Sequence, residues 1–496
     1  MPINQENQFT EFDRFINRVM KDWLAPGVGI GIIQNKKISY LQSYGYRDLK
    51  KQLPITRDTR FCIASCSKSF TATAIGILVD EKKLEWDRPV KAYLPSFRMY
   101  DPVMTSRMTV RDLMCHRSGL PRHDNTWFNN PISKIEIAKR LQFLEPTRTG
   151  ADNPYDFRNK YQYNNLMFIM AGILIEKISG ISFEEFVTDR ILKPIGMHQT
   201  RFYTNDLMSN PDFATSYSKS KKRLYPYLRG WMKEVGGEQL FGPTAPAGGI
   251  VSTIPDVCKW LIFQMNQGKL GRTQVISESS LKELHTPQFI NPPVYSYPER
   301  LNACAGLGWM IESYRGERLV RHSGNLGGFS THMSFIPERN LGIVMSTNIG
   351  VSPLDPIIPL SLYDRILGLK PVDWNQRKKL ESKKEDHDLR IKQKKDFKHK
   401  VETKPSKPLP AYAGIYQHPG YGKIIITFDR GKLELEYNGA QYQLIHLEKD
   451  SFKMIELLPG GDKYKVSFAI SKPRKIESIH IPFEPSVQDI VFKRKG

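Results

Sequence analysis

The chain carries 496 residues, 40 % of them hydrophobic and 11 % aromatic, with 73 Lys and Arg against 51 Asp and Glu and a net charge of +22. That length exceeds what one core usually holds, so two or three domains are expected, and the apolar content supplies them with substantial cores. Five cysteines without a CxxC pair argue against a disulfide or zinc framework and for a reducing compartment, and no ordered His, Asp and Glu cluster suggests a metal.

Residues 1–10 are polar, and residues 11–24 set Phe12, Phe15, Ile16, Val19 and Trp23 among charges, the pattern of an amphipathic helix. Nothing there has the build of a secretory signal, and the longest apolar run, residues 166–175, is too short to span a bilayer. A cytoplasmic location is the expectation. Strands are expected over 28–33 and 37–44.

The tetrad Ser65-Cys66-Ser67-Lys68 comes next. Ser65 closes the apolar stretch 61–64 and opens a run with Phe70, Ala74, Ile77 and Leu78 at helical spacing. On a helix, residues three apart share a face, with Cβ atoms roughly 5–6 Å apart. A hydroxyl and an amine are then within reach, and the helix N-terminus favours an oxyanion beside them. Serine needs such a base, and lysine can act as one only when burial or a nearby cation lowers its pKa from about 10.4. The competing reading is a helix cap followed by a solvated lysine. Two further Ser-x-x-Lys tetrads, at Ser216 and Ser218, lie in the basic sequence SYSKSKKR with no helical pattern behind them and are discarded.

Tyr163-Asn164-Asn165 precedes a helix expected over 166–179, where Tyr163 also reads as a half-buried aromatic and Asn165 as an N-cap. His322-Ser323-Gly324 falls among strands expected near 305–315, 318–323, 331–336 and 342–347. Cys62 and Cys66 bracket Ser65 and read as packing residues rather than redox sensors. His116, in CHRSGL, reads as a structural loop residue before a catalytic one.

Residues 371–410 hold 13 Lys and Arg against 7 Asp and Glu, few apolar positions and a Pro-rich end. This pattern favours a charged, partly helical, solvated linker over a nucleic-acid or anionic-membrane surface, because acids interleave with the bases and no stacking aromatics accompany them. From Tyr412 onward about seven short strands alternate in period 2 between Gly, Asn-Gly, Asp and Pro turns, which implies a small antiparallel barrel or sandwich over 411–496.

Taken in order, the three motifs and their surroundings resemble the serine beta-lactamase-related hydrolases: class C beta-lactamases, D-amino-acid peptidases and related esterases. The likeness runs over most of residues 10–365. Its further carriers are LMCHRSGLPRHD from Leu113, ILKPIGMHQTRF from Ile191, PAGGIVST from Pro246 and HSGNLGGFSTHMSFIPERNLGIVMSTN from His322. Tyr412-Ala413-Gly414-Ile415-Tyr416 and the glycine-rich 418–422 resemble the lipocalin-like domain appended to some of these enzymes, where it mediates assembly or restricts access to the site.

The resemblance implies an α+β fold: an antiparallel sheet beside a helical subdomain drawn from about residues 70–290, then the barrel, giving domains at 1–370 and 411–496 around the linker 371–410. It implies Ser65 as acylated nucleophile, Lys68 as its proton partner and Tyr163 as second acid and base. Asn165, His322, Ser323, Gly324 and Asn325 would bind substrate, with the backbone N–H groups of Ser65 and Asn325 as oxyanion hole. His322 stands where beta-lactamases carry the lysine of Lys-Thr-Gly, and neutral histidine attracts a carboxylate less than a lysine does. The substrates implied are therefore small molecules or short peptides with an amide or ester bond, more than antibiotics, and the chemistry needs no cofactor or metal. Neither a Ser-Asp-Asn element nor the glutamate of class A enzymes is evident, which leaves Tyr163 as second base. Substrate choice would lie in loops such as 120–158 and 200–245. A homo-oligomer formed through the C-terminal domain is allowed by the likeness. The competing functional reading is a non-catalytic binding protein on the same fold, recruiting a partner through the linker and barrel.

Overall fold

The computed structural model describes residues 5–128, 130, 132–149, 155–202, 211–220, 223–226, 242–291, 297–396, 403–457, 461–471 and 475–495. Most of the loop region 200–245 lies outside the described residues, as does Lys221 of the Ser218 tetrad. The chain forms two compact units, neither of them continuous in sequence. The first comprises Met1–Leu94, Thr109–His116 and Leu166–Lys379, the second Pro95–Met108, Arg117–Asn165 and Leu380–Gly496.

The first unit is built on a nine-stranded antiparallel sheet. Its strands are β1 (Gly27–Gln34), β2 (Lys37–Asp48), β3 (Leu53–Pro54), β4 (Phe289–Ile290), β5 (Arg300–Ala305), β6 (Met310–Tyr314), β7 (Glu317–Leu326), β8 (Phe329–Ile336) and β9 (Leu341–Thr347). They lie in the order β4-β5-β6-β7-β8-β9-β1-β2-β3. The N-terminal strands thus pair with the end of the unit through β1 and β9, Val28 opposite Thr347 and Gln34 opposite Leu341.

Strand β1 shows how period 2 sorts the two faces. Val28, Ile30 and Ile32 enter a core with helix α1 (Gln5–Trp23), whose Phe12, Phe15, Ile16, Val19 and Trp23 are all buried as their spacing predicts. Each fully buried aliphatic of this kind contributes roughly 1.5–3 kcal/mol. On the opposite face Gly29 and Gly31 leave room for a helix at Ile254–Met265: a Cβ on Gly31 would lie 2.4 Å from Cys258 Sγ, and one on Gly29 2.8 Å from Ile254 Cγ1. That helix is capped by Thr253, whose hydroxyl accepts the Asp256 N–H.

Two apolar helices, Ser67–Asp80 and Leu166–Ser179, pack in the same unit, the second with the bounds expected from the sequence. Among the described residues no single helix is long and apolar enough to cross a membrane. A helix at Trp374–Asp396 begins in buried contacts, with Trp23 Nε1 donating to Asn375 Oδ1 at 2.8 Å, and its residues 383–392 are exposed.

In the second unit the C-terminal strands close into a barrel of eight: β10 (Gly414–His418), β11 (Gly422–Asp429), β12 (Lys432–Tyr437), β13 (Ala440–Glu448), β14 (Ser451–Glu456), β15 (Lys463–Ser471), β16 (Lys475–Ile481) and β17 (Ile490–Arg494). The expectation of about seven strands falls one short. The missing strand, β10, is brief and opens on a glycine, but it closes the barrel by pairing with both β11 and β17. Strand β12 alternates exposed and buried positions, and the Asn438-Gly439 turn after it takes the two positive φ values, 47° and 74°, that a tight hairpin demands. Tyr416, Tyr421, Ile424, Leu435, Phe452 and Phe492 fill the interior.

Candidate active site

Ser65 sits in a single 3₁₀ turn, Ala64–Cys66, between the short strand Phe61–Cys62 and the helix Ser67–Asp80. Ala64, immediately before it, has φ +48°, a left-handed conformation rare for a residue with a side chain and found where surrounding structure enforces it. The consequence is visible in exposure: between residues 61 and 78, Ser65 is the one residue that is not buried. Ser65 alone in this stretch is partly exposed.

Lys68 is fully buried one turn on. Its Nζ lies 3.1 Å from Ser65 Oγ, donates to the Ala247 carbonyl at 2.7 Å, and stands 5.3 Å from the centre of the Phe168 ring. The helix carrying it is held on several sides. Thr71 Oγ1 donates to the Pro246 carbonyl at 2.6 Å, Ser67 Oγ accepts the Ile250 N–H at 3.1 Å, and Phe70 stacks on Trp260 at 3.8 Å. Gly308, at φ +71°, lets its loop approach the Lys68 carbonyl so closely that a Cβ would lie 2.6 Å from that oxygen. The amine is thus fixed against a hydroxyl without bulk water around it.

Strand β7 brings His322-Ser323-Gly324-Asn325 to the same place. A Cβ on Gly324 would stand 2.1 Å from the Ile63 carbonyl oxygen and 2.9 Å from Ser65 N, so the strand backbone touches the nucleophile turn. His322 is buried, and its Nδ1–H donates to the Ser323 carbonyl at 2.8 Å. Burial, and after it the nearby Lys68 charge, pushes its pKa down to about 3. Histidine at this position is therefore neutral around pH 7. Asn325 is exposed, with its Oδ1 accepting from Ser330 Oγ at 2.5 Å.

Behind β7 lies a group that no sequence pattern announces. Asp355 Oδ1 is 2.8 Å from His332 Nδ1, and His332 Nε2 is 2.7 Å from Ser334 Oγ, which is 2.9 Å from the Tyr363 hydroxyl. Burial alone would raise the Asp355 pKa, but His332, the Ser323 hydroxyl and Arg321 outweigh it and hold the carboxyl near about 2. A folded value below the unfolded value of about 3.9 stabilises the protein above that pH, and the gain is lost as pH falls through about 2. The difference corresponds to roughly 2–3 kcal/mol. Denaturant melts of Asp355→Asn and wild type are expected to differ most near neutrality and to converge by about that amount towards about pH 2.

Tyr163 and Asn165 belong to the second unit. There Asn164 is buried, with its Nδ2 donating to the carbonyl oxygens of Leu120 (3.1 Å) and Pro121 (2.5 Å), and Asn165 Nδ2 donates to Asp124 Oδ1 at 3.1 Å. The guanidinium carbon of Arg122 stands 5.1 Å from the centre of the Tyr163 ring, and Arg122 Nε pairs with Asp124 Oδ2 at 2.5 Å. Arg122 and Asp124 were carried only as part of a longer fragment in the sequence; their approach to the motif depends on a loop that local periodicity does not encode.

Cys62 and Cys66 are buried, and burial pushes the Cys62 thiol up to about 12 and the Cys66 thiol well above its ordinary value, the behaviour of packing residues. His116, at φ +60°, is buried with its ring 5.5 Å from that of Phe168. Among the described residues no group of three His, Cys, Asp or Glu could hold a metal ion.

A family model described as Beta-lactamase matches residues 12–359, and one described as a domain of unknown function, DUF3471, matches residues 398–494. Similar proteins include an unguisins hydrolase, ungD′, of Aspergillus campestris, 26 % identical over 536 residues that span 100 % of this chain and 92 % of that protein. The protein flp of Staphylococcus aureus is 27 % identical over 339 residues, 68 % of this chain and 62 % of its own. Among solved structures, an octameric penicillin-binding protein homologue from Pyrococcus abyssi superposes with a TM-score of 0.62 at 24 % identity, covering 98 % of this chain and 100 % of that one. A penicillin-binding protein from Bacillus halodurans gives 0.52 at 23 % identity, over 67 % and 95 %. The likeness to both structures is one of fold.

Proposed function

Since the chain belongs to the beta-lactamase family of serine hydrolases, we propose that it cleaves amide or ester bonds of small molecules or short peptides through an acyl-enzyme on Ser65. The observation that carries this reading is the buried Lys68 amine 3.1 Å from the hydroxyl of the one partly exposed residue of the turn. In the first step the Lys68 amine, acting as base, takes the Ser65 proton as Oγ bonds to the substrate carbonyl carbon. The oxyanion forms at the backbone N–H groups of Ser65 and Asn325, where β7 presses on the turn. Collapse breaks the bond to the amine or alcohol. That leaving group takes up the proton that left Ser65, delivered by a second acid, the role proposed for Tyr163. Water then attacks the acyl carbon and gives a proton to the same group acting as base, and Ser65 Oγ regains its proton as the carboxylic acid departs.

The neutral His322 shapes the substrate class. Without a lysine at this position the strand carries a neutral imidazole where carboxylate-binding relatives carry a cation, so neutral peptides, amides and esters fit better than beta-lactam carboxylates.

Intact-protein mass after exposure to a fluorophosphonate, and separately to a penicillin, tests the reading. Wild type is expected to gain one fluorophosphonate adduct and Ser65→Ala none. Folded wild type that gains no adduct with either reagent would overturn it in favour of a binding protein on this fold.

A further inference from the structure

The loop at residues 120–125, all within the second unit, makes two sets of contacts with opposite ends of the sequence. Leu120, Pro121, Arg122 and Asp124 hold the Tyr163-Asn164-Asn165 segment, through the four contacts given above. His123 and Asn125 hold the barrel. The His123 backbone N–H donates to Glu484 Oε2 at 3.1 Å. Its ring Nε2–H donates to the Glu145 carbonyl at 2.9 Å, so Nδ1 is an acceptor, and the Tyr421 hydroxyl donates to it at 2.6 Å. Asn125 Nδ2 donates to the Phe483 carbonyl at 3.2 Å, and the Asn125 carbonyl oxygen receives both the Tyr437 hydroxyl at 2.7 Å and Asn438 Nδ2 at 2.8 Å.

Three properties mark this as more than a covering contact. His123 has φ +44° and ψ +35°, a left-handed conformation for a bulky residue, which persists only where its surroundings over-determine it. The groups enforcing it are buried: His123 is 1 % exposed, Tyr421 0 %, Tyr437 2 % and Glu484 6 %. The barrel side is closely packed, with Phe483 stacked on Tyr437 at 4.9 Å and parallel to Tyr421 within 9°. Since motif and barrel contacts alternate along residues 122–125, releasing His123 from its left-handed turn moves Arg122 and Asp124 with it.

We propose that the C-terminal barrel positions the Tyr163–Asn165 segment for chemistry, with Glu484 and Tyr421 acting as positioning residues through His123. This rests on the reading of Tyr163 and Asn165 as part of the reacting centre. It gives the domain of unknown function a role inside the same chain: a clamp on a catalytic loop.

The test uses the full-length chain and three variants, Glu484→Ala, Glu484→Gln and Tyr421→Phe. Turnover of a p-nitrophenyl ester, the rate of fluorophosphonate labelling at Ser65 and the thermal midpoint are measured for each, with tyrosine ring-carbon NMR in which the Tyr163 signal is assigned by Tyr163→Phe. Glu484→Ala and Tyr421→Phe are expected to lower kcat by about ten- to a hundred-fold, the usual consequence of a catalytic group displaced by about an ångström, with KM little changed and the Tyr163 signal moved. Glu484→Gln, which keeps an oxygen for the His123 N–H, should recover most of both. Should Glu484→Ala not fold, Tyr421→Phe carries the test, since it removes one oxygen atom. Folded variants with wild-type kcat and an unmoved Tyr163 signal would overturn the proposal. If wild type gives no Ser65 adduct, the hydrolase reading fails by itself, while the Tyr163 signal still decides whether the barrel positions the loop.

Discussion

Replacing Lys68 by methionine is expected to slow fluorophosphonate acylation of Ser65 by about a thousand-fold while leaving the protein folded. The size follows from the role, because a positioned general base typically contributes about 10²- to 10⁴-fold. The tolerance follows from the surroundings. Methionine is unbranched and apolar, and it enters a site already walled by the Phe168 ring and the helix Ser67–Asp80. One cost is certain: the Ala247 carbonyl loses its donor, which is worth roughly 1–3 kcal/mol when a buried acceptor goes unmet. Removing a fully buried amine offsets part of that cost, since burying a polar group is itself unfavourable. Stopped-flow labelling and a denaturant melt on the same preparation separate the two effects. A variant labelled at the wild-type rate would remove Lys68 from the mechanism, and His322 is a poor substitute as the base, because a pKa of about 3 makes its imidazole too weak to take the Ser65 proton.

What could be read from the sequence, and what could not, divides by the range of the interaction. Helix α1 and strand β1 were legible because one face of each meets solvent or glycine and the other the core, so apolar spacing shows directly. The helix Ser67–Asp80 was legible by a weaker signal, since residues 67–78 are all buried and no polar stripe marks its outer side. Ser65 and Lys68 share a turn, so their chemistry is local and a tetrad can announce it. Asp355 is different. It reaches His332 across 23 residues and the back of β7 through no motif at all. His123 and Glu484 are further apart still, separated by 361 residues, and nothing in either neighbourhood names the other. The grouping of residues 117–165 with the barrel in one compact unit is of the same kind. Buried polar pairs of high sequence separation are set by tertiary packing, which a period-2 or period-3.6 pattern does not record.

Gly324→Ala is expected to cost the enzyme about 10²- to 10³-fold in acylation rate and the fold roughly 1–3 kcal/mol. The effect is steric before it is chemical. The added Cβ would meet the Ile63 carbonyl oxygen at 2.1 Å, Ser65 N at 2.9 Å and the Ala64 Cβ at 3.0 Å. The first two are backbone atoms, and no rotamer change relieves a clash with backbone. Either β7 withdraws or the left-handed turn at Ala64 opens, and both displace the N–H groups assigned to the oxyanion. Withdrawal is opposed by pairing along the strand, where Arg321 faces Ser334, Gly324 faces Thr331 and Asn325 faces Ser330. It is also opposed by the buried Glu312, which accepts from Arg321 Nε at 2.9 Å and Arg300 Nε at 3.0 Å. The turn is the weaker partner, since a residue held at positive φ gives up strain when released. Ser65 should therefore move more than the sheet, and the loss should appear in labelling rate more than in melting temperature. Equal labelling of Gly324→Ala and wild type would show that close packing of β7 on the turn is not what builds the oxyanion site.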